Sequence, residues 1–441
     1  MISRALQTIR TQRWWQGLLA ITALGLAVRL IYILGFHRND KVWGDPFMYH
    51  YGSNLLVKGH PFIHPVAYIF FGHRVTPAAD HPPLYILWLA IPSALGLGTV
   101  LVHMLWSTVL GSGTVLLTGL LGRRVAGNRA GLIAATIAAL YPNIWVYDGQ
   151  VLSETLAIFV STATLLLAYR AYDSPSVRAI VTVGIACALA ALSRSELILL
   201  VPVLMWPLCF RTPKWSDRAK WAAAGTAATL LVLAPWVIFN MVRFEHPVYL
   251  SSQLEATLVG ANCADTYRGP DLGLLSSTCL VHPPLPEGDQ SVQAIELRRR
   301  AREFISHNEG RIPVVVAARL GRVLGIYHPR KQIEVDYVLE GREHKVAWAG
   351  MISAYFIEIA AIAGVVLLRR RKQPVYILLV LPAIVLFTVA AMYGTNRFRA
   401  SAEVSIVVLA AVALDALWSQ IAPRSEAVEP AADCVPLEVP G

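Results

Sequence analysis

Charged residues are scarce in this chain. Only 15% of its 441 residues are Asp, Glu, Lys or Arg, against about a quarter in an average soluble domain. Hydrophobic residues make up 56%, which excludes an ordinary soluble domain and predicts an integral membrane protein. The formal net charge is +10. In a membrane protein this excess is expected in cytoplasmic loops beside lipid headgroups, so we expect no nucleic-acid partner and find no motif for one.

Long apolar segments recur along the chain, and about 20 apolar residues suffice for a helix to cross the bilayer. Ten segments qualify; they begin near Trp14, Val100, Ala130, Leu152, Val177, Leu197, Trp221, Val346, Pro374 and Ala402. Four connecting loops are strongly basic: "GRRVAGNR", "YRAYDSPSVR", "RTPKWSDRAK" and "RRRKQ". Positive loops stay in the cytoplasm. We therefore predict an all-α polytopic protein of the plasma membrane with about ten transmembrane helices and both termini cytoplasmic.

One apolar segment does not fit this count. "PPLYILWLAIPSALGLG", residues 82–98, is short and bounded by Pro and Gly. We interpret it as a juxtamembrane or re-entrant helix on the outer side. Two large extracytoplasmic loops result, residues 37–99 and 242–345, within one membrane domain of residues 1–421. Residues 422–441 contain Pro and Glu and are predicted to form a disordered cytoplasmic tail.

The cysteines agree with this topology. Cys263 and Cys279 both lie in the second predicted outer loop. An oxidising compartment permits a disulfide between them, and two free thiols are the alternative. No Cys/His spacing in the chain suggests a structural zinc site.

Polar residues cluster at the outward ends of the predicted helices. Ionisable groups at membrane depth are costly and are candidates for function. Four separate outward segments contribute, so we expect one shared pocket at the outer leaflet, formed by Asp45, Tyr49, His50, His81, Asp148, Glu154, Arg194, Arg397 and Arg399.

Asp45 stands between Gly44 and Pro46, in a turn at a helix end. One interpretation is a helix cap or turn former. The other is a general base, because a partly desolvated carboxylate can accept a hydroxyl proton from an attacking nucleophile. Tyr49 follows one helical turn later and could contact the same ligand.

The other candidates also have structural alternatives. Glu154 in "SETL" fits a helix N-terminus as a cap, and Arg194 could simply pair with Glu196 in an exposed turn. Arg397 and Arg399 could anchor a helix end by snorkelling, or bind the oxygens of a lipid phosphate. His81 could cap the short segment or donate to a phosphate. We expect Arg29, late in the first crossing, to snorkel outward.

Several of these motifs, in this order, resemble those of the GT-C glycosyltransferases. They are "GDPFMYHYGSNLLVKGHPF", "ADHPPLYILWLA", "LSETLAIF", "ALSRSELILL", "LAPWVIFN" and "YGTNRFRASAE", spread over residues 14–420. The chain is most similar to glycosyltransferase family 39 and its bacterial relatives. That group includes protein O-mannosyltransferases and the lipid A aminoarabinose transferase.

The resemblance implies a GT-C architecture and an inverting sugar transfer on the extracytoplasmic face. The donor would be a polyprenyl-phosphate-linked sugar and the acceptor a hydroxyl group of a protein, glycolipid or cell-wall glycan. Asp45 matches the catalytic aspartate, and His81 matches the basic residue of the family's His/Lys-Pro-Pro-Leu stretch near the lipid phosphate. Glu154 matches an outer acid, with Asp148 as a rival. Arg397 and Arg399 match the late Arg motif loosely.

The sequence also departs from the family pattern. Pro46 replaces the second acid that often follows the first-loop aspartate, and no D-x-D pair is present. No metal or other cofactor is therefore indicated. The main alternative in another functional class is a lipid-linked sugar flippase or transporter, which favours charges at the membrane midplane. Glu358, near the middle of a predicted crossing, has no explanation at this level.

Overall fold

Helices are the main secondary structure of the described part of the chain. The structure is a computed structural model that describes residues 2–421, with side chains from residue 12 onwards. The predicted tail, residues 422–441, lies outside the described residues. Residues 2–421 contain no β-strand, only an isolated bridge between Ile63 and Pro77. The prediction of an all-α polytopic membrane protein is confirmed.

Residues 2–421 form twenty α-helices, joined by turns and short 3₁₀- or π-helical segments. They are α1 (Ile2–Tyr32), α2 (Asp45–Val57), α3 (Pro65–Phe70), α4 (Leu84–Ala94), α5 (Val100–Ala126), α6 (Asn128–Leu140), α7 (Pro142–Trp145), α8 (Glu154–Asp173), α9 (Val177–Ser193), α10 (Trp206–Cys209), α11 (Trp215–Arg243), α12 (Gln253–Ala261), α13 (Ala264–Tyr267), α14 (Thr278–Val281), α15 (Gln290–His307), α16 (Ile312–Val323), α17 (Pro329–Glu340), α18 (His344–Arg370), α19 (Tyr376–Ala391) and α20 (Ala400–Ile421).

Each of the ten predicted crossings falls in a helical segment. Among the described residues, six helices are long and apolar enough to cross a bilayer: Gln12–His37, Val100–Ala126, Glu154–Asp173, Trp215–Arg243, His344–Arg370 and Asn396–Ile421. The bent pair Asn128–Leu140 and Pro142–Gly149 makes seven if it counts as one span. The other three predicted crossings are shorter apolar helices, Val177–Ser193, Ser195–Cys209 and Tyr376–Ala391. The chain is thus a multi-pass membrane protein, and a total of ten crossings stays a prediction.

Glycines let some of these helices approach closely. A Cβ on Gly364 of α18 would lie 1.9 Å from the carbonyl oxygen of Leu409 on α20. A Cβ on Gly184 of α9 would lie 2.4 Å from the carbonyl oxygen of Gly225 on α11. In lipid the hydrophobic effect does not drive helices together, so van der Waals packing matters more, and small residues at helix crossings allow it.

The two predicted outer loops are folded. In the first, α2 packs on α4, and α4 has only eleven residues, too few to cross a bilayer. The second contains α12 to α17, in which α12 packs on α14 and α15, α16 on α19 and α17 on α18. Cys263 and Cys279, the predicted pair, are joined there by a disulfide.

Arg29 does not snorkel outward, and that prediction was wrong. Its side chain is fully buried, and its Nε lies 2.6 Å from Oδ2 of Asp148. The guanidinium also donates to the carbonyl of Gly25, one turn earlier in α1. A charge facing the bundle interior is stabilised by an opposite charge from a neighbouring element, which removes the need to reach water.

Candidate active site

One cavity of about 790 Å³ opens where several helix ends meet. Its walls come from the start of α2, the segment before α4, the α8 start, the α9 end and the turn before α20. The second outer loop closes the remaining side with residues 246–257 and part of α15. Of the predicted site residues, the cavity is lined by Asp45, Tyr49, His81, Arg194 and Arg397.

Asp45 is the first residue of α2, as its surroundings in the sequence predicted. Gly44 precedes it with φ +61°, a left-handed conformation that glycine adopts without steric cost. Pro46 lies in the first turn, where the missing N–H breaks no helical bond. The carboxylate is 32% exposed, and that exposed surface faces the cavity.

Charges of alternating sign run across the floor of this cavity, and we call this row the charge chain. Arg397 Nη1 donates to Oδ2 of Asp45 at 2.5 Å, while its Nε donates to Glu154. Arg194 binds the same Glu154 through Nη1 and donates from Nε to Glu196 at 2.6 Å. At the other end, His81 Nε2 lies 3.3 Å from Oδ1 of Asp45. The charge chain therefore connects α2, α8, α9 and the turn before α20.

The contacts of Asp45 govern its protonation. Burial acts to raise the pKa of this carboxyl, but the charges of Arg397 and His81 outweigh burial and hold it below its usual range. Asp45 is thus an ionised, weakly basic carboxylate. It becomes a stronger base only if one of these partners turns away.

Tyr49 lies on the same face of α2, one turn after Asp45. Its hydroxyl donates to Oγ of Ser153 at 2.9 Å, and its ring centroid lies 4.6 Å from that of His81. Burial raises the pKa of the Tyr49 phenol, so the hydroxyl stays protonated. The Tyr49 ring therefore packs against His81, and its hydroxyl is neither acid nor base near neutral pH.

Glu154 is completely buried and bridges two arginines. Glu154 is the first residue of α8, and its hydrogen bonds to other side chains all come from Arg194 and Arg397. Arg194 likewise lies in no exposed turn, because only 13% of its side chain is exposed. The site interpretation therefore describes both residues better than the capping and surface-pair alternatives.

Four predicted donor-binding residues do not line the cavity. Glu154 lies beneath it and still pairs with Arg194 and Arg397. The other three, Asp148, His50 and Arg399, lie outside the charge chain, so their prediction as donor-binding residues was wrong. Asp148 is buried between Arg29 and Thr155. His50 faces His103, with their Nδ1 atoms 3.1 Å apart. Burial lowers the pKa of His50 to about 4, so at neutral pH it carries no charge for a phosphate.

Arg399 is the third residue that points away. Its Nη2 lies 2.6 Å from Glu358, and its Nε donates to Glu403 at 2.8 Å. This pairing explains Glu358, which the sequence left without a role. Arg399 and Glu403 stand one turn apart in the chain, while Glu358 comes from α18.

The second outer loop contributes groups that sequence reasoning missed. Arg298 on α15 and Glu255 on α12 form an ion pair that lines the cavity. Arg298 belongs to the run "LRRRARE", in which nothing distinguishes one arginine from the next.

Ser195, next to Arg194, also lines the cavity, and its buried Oγ has no hydrogen-bond partner among the described residues.

The charge chain contains no cluster suited to a metal ion. Within the described side chains, one group of three His, Cys, Asp or Glu residues is close enough to share an ion: Cys263, Asp265 and Cys279. Two of these are the disulfide cysteines. In the charge chain, arginines occupy the carboxylates that an ion would need.

Comparison with known proteins places this geometry in a family context. The family model described as dolichyl-phosphate-mannose-protein mannosyltransferase matches residues 80–239, less than half of the chain. That segment includes four members of the charge chain: His81, Glu154, Arg194 and Glu196. A search of curated protein sequences found no match.

Solved structures show the same fold. One is the oligosaccharyltransferase AglB from Archaeoglobus fulgidus in complex with an inhibitory peptide and a dolichol-phosphate. It aligns with a TM-score of 0.54 and 14% identity over 93% of this chain and 51% of its own. The A. fulgidus enzyme tethered to an acceptor peptide aligns with a TM-score of 0.56 and 15% identity, over 91% and 50%. This chain thus spans about half the length of these enzymes.

A third structure, ArnT from Cupriavidus metallidurans bound to undecaprenyl phosphate, aligns at 16% identity over 91% of this chain and 79% of its own. Its TM-score is 0.42, too low to support an argument. The AglB alignments are sufficient to establish a GT-C fold, which confirms the predicted fold class. At such low identity they establish the fold alone.

Proposed function

We propose that this protein is an inverting glycosyltransferase that moves a sugar from a polyprenyl-phosphate donor to a hydroxyl acceptor on the extracytoplasmic face. One observation carries the proposal. Asp45 faces the cavity while it is paired with Arg397, so a candidate base and a phosphate-binding cation stand side by side. An enzyme whose leaving group is already a phosphate needs these two groups above all.

Several findings support a lipid-linked donor. The matched family model is that of dolichyl-phosphate-mannose-protein mannosyltransferases. The structurally similar AglB was solved with a dolichol-phosphate. Beside the charge chain, Leu199, Phe387 and Phe398 line the cavity. Such apolar side chains suit the first isoprene units of a lipid tail.

The chemistry follows from the positions of the charges. The acceptor oxygen attacks the anomeric carbon as Asp45 takes the hydroxyl proton. The bond between that carbon and the phosphate oxygen breaks, and the phosphate leaves with the bonding electrons. Arg397, supported by Arg194 and His81, stabilises the charge that develops on the phosphate. A single displacement inverts the configuration at the anomeric carbon.

The pairing of Asp45 with Arg397 and His81 suggests how the base becomes active. Arg397 and His81 now suppress the basicity of Asp45. When a donor phosphate binds, it competes for both cations, and Asp45 loses its partners. The carboxylate then regains basicity at the moment a sugar is present.

Sidedness is part of the proposal. The charge chain and the second outer loop both line the same cavity. The loop contains the Cys263–Cys279 disulfide, which suits an oxidising extracytoplasmic compartment. We therefore assign the cavity to the extracytoplasmic face and both termini to the cytoplasm.

The test uses the purified full-length chain in proteoliposomes. Undecaprenyl phosphate carrying radiolabelled mannose, glucose or 4-aminoarabinose is supplied, with cell-envelope vesicles as the acceptor source. We expect label from one donor to move into an acceptor, with release of undecaprenyl phosphate. Label that stays on every donor overturns the proposal. Passage of the intact donor across the bilayer would instead support the flippase alternative.

A further inference from the structure

Asp336 lies outside the cavity yet contacts the turn that carries Arg397. It belongs to α17 in the second outer loop and is only 1% exposed. Its Oδ2 accepts a hydrogen bond from Nδ2 of Asn396 at 3.0 Å. Its Oδ1 accepts one from Nε2 of Gln332 at 3.0 Å, one turn earlier in α17. Asn396 directly precedes Arg397, so one side chain connects the loop to the charge chain.

The arginines of the turn around Asn396 are anchored by ion pairs, Arg397 to Asp45 and Glu154 and Arg399 to Glu358 and Glu403, whereas Asn396 itself is held through Asp336. The segment is one 3₁₀ turn, Asn396–Arg399, that joins the irregular end of α19 to α20. Thr395 Oγ1 accepts from the backbone N–H of Arg397 at 3.4 Å, a long contact within the turn itself. From outside the turn, Asp336 holds the residue next to Arg397. A shift of Asn396 would therefore displace the Arg397 guanidinium.

The carboxylate is not explained by ion pairing alone. The nearest contact between Asp336 and Arg342 is 3.9 Å, whereas Arg342 approaches Glu340 to 3.0 Å. The short contacts of Asp336 are to two neutral amides. A buried polar group is stabilised by hydrogen bonds, and one hydrogen bond of Asp336 goes to Asn396 in the turn that carries Arg397.

We propose that Asp336 is a positioning residue that holds Arg397 in the charge chain through Asn396. The second outer loop and the phosphate-binding Arg397 would then move together. A displacement of α17 by a bound acceptor would reach Arg397 and, through it, Asp45. This inference rests on the proposed function for its catalytic consequence, while the positioning itself can be tested without turnover.

The variants separate the hydrogen bond from the charge. Asp336→Ala and Asn396→Ala each remove the bond. Asp336→Asn removes the charge only, because Gln332 has an unpaired buried Oε1 and can rotate its amide to accept from the introduced NH₂ group. The introduced carbonyl still accepts from Asn396. Asp271→Ala is the matched control, since Asp271 contacts Lys331 on the exposed side of α17 at 3.1 Å.

The first measurement is hydrogen–deuterium exchange of the peptide that covers residues 391–399 in the full-length protein. We expect faster exchange in Asp336→Ala and Asn396→Ala than in the Asp271→Ala control, and wild-type exchange in Asp336→Asn. Exchange in Asn396→Ala equal to that of the control overturns the inference. This result stands whether or not the chain transfers sugar. Because Asn396→Ala leaves α17 intact, it decides the question even if Asp336→Ala fails to fold.

The second measurement is turnover with the donor identified above. We expect both alanine variants to lose roughly tenfold to a hundredfold in kcat/KM for the donor, as expected for a small displacement of a catalytic group. The double variant should lose no more than either single variant, since both act through one bond. Asp336→Asn should restore most of the rate. Additive losses would mean that Asp336 does not act through Asn396. An inactive wild type would refute the proposed function and leave the exchange result valid.

Discussion

Arg397 donates a hydrogen bond to Asp45 at 2.5 Å across 352 positions of sequence. The contact joins the first outer segment of the chain to the turn before the last described helix. Arg397 also binds Glu154, so it connects the base to the buried centre of the charge chain. One guanidinium thus connects three of the outward segments that the sequence predicted to meet in one pocket.

Arg397→Lys should be a severe substitution. A lysine ammonium is a point charge and cannot span Asp45 and Glu154 as the planar guanidinium does. We expect kcat/KM for the donor to fall by roughly 10²–10³-fold, the cost of losing one group that stabilises developing charge. Steady-state kinetics in proteoliposomes provides the measurement, with Arg371→Lys, an exposed arginine after α18, as the control. A loss below threefold would remove Arg397 from the mechanism.

Arg298→Ala should affect the acceptor more than the donor. Arg298 lines the cavity on the side of the second loop, across from the charge chain, and pairs with Glu255. We expect the KM for the acceptor to rise about tenfold, as for loss of one charge-assisted hydrogen bond, with little change for the donor. Arg299→Ala, on the exposed face of the same helix, is the control. An equal rise in the KM for the donor would contradict a specific role of Arg298 in acceptor binding.

The buried pair of Arg29 and Asp148 should be structural. Asp148→Ala leaves the guanidinium buried without its partner, which costs about 3–5 kcal/mol. The double variant Arg29→Met, Asp148→Leu should recover most of that loss, because it removes both charges. Unfolding in mixed detergent micelles measures the stability. If the double variant keeps its stability but loses activity, Asp148 has a functional role in addition to its structural one.

His50 should make stability depend on pH. Burial lowers its folded-state pKa to about 4, below the unfolded value near 6.5. Between these values the unfolded chain binds a proton that the folded chain excludes. Stability from this group is complete above pH 6.5 and is lost as pH falls towards 4. This group changes the free energy of unfolding by at most about 1.4 kcal/mol per pH unit.

The corresponding variant is His50→Asn. Its stability should fall less steeply than that of the wild type between pH 6.5 and 4, measured by detergent unfolding at each pH. His103 faces His50 and remains in the variant, so part of the slope should persist. Identical slopes in the two proteins would show that His50 is protonated in the folded state.

Sequence reasoning predicted that the residues of the candidate site lie close together, because the signals for this are local. Hydropathy and loop charge predicted which helix ends share a face, and Gly44 and Pro46 marked the turn that holds Asp45. These properties also identified Glu154, Arg194 and Arg397, whose convergence requires only that their helix ends lie on one side.

Pairings inside the bundle could not be predicted in this way. Arg29 with Asp148, and Arg399 with Glu358, depend on how each helix is rotated about its axis. Hydropathy reports the depth of a residue and says nothing of that rotation. The same limit applies to Asp336, whose partner Asn396 is set by the packing of the second loop.

The central claim is that Asp45 is the base, and its removal is the most direct test. Asp45→Asn keeps the shape of the side chain and its place beside Arg397 but cannot accept a proton. We predict that the purified variant binds undecaprenyl phosphate at least as tightly as the wild type, because the competing carboxylate charge is gone, and transfers sugar roughly 10²–10⁴-fold more slowly, the usual contribution of a general base. Transfer within threefold of the wild-type rate would contradict the account.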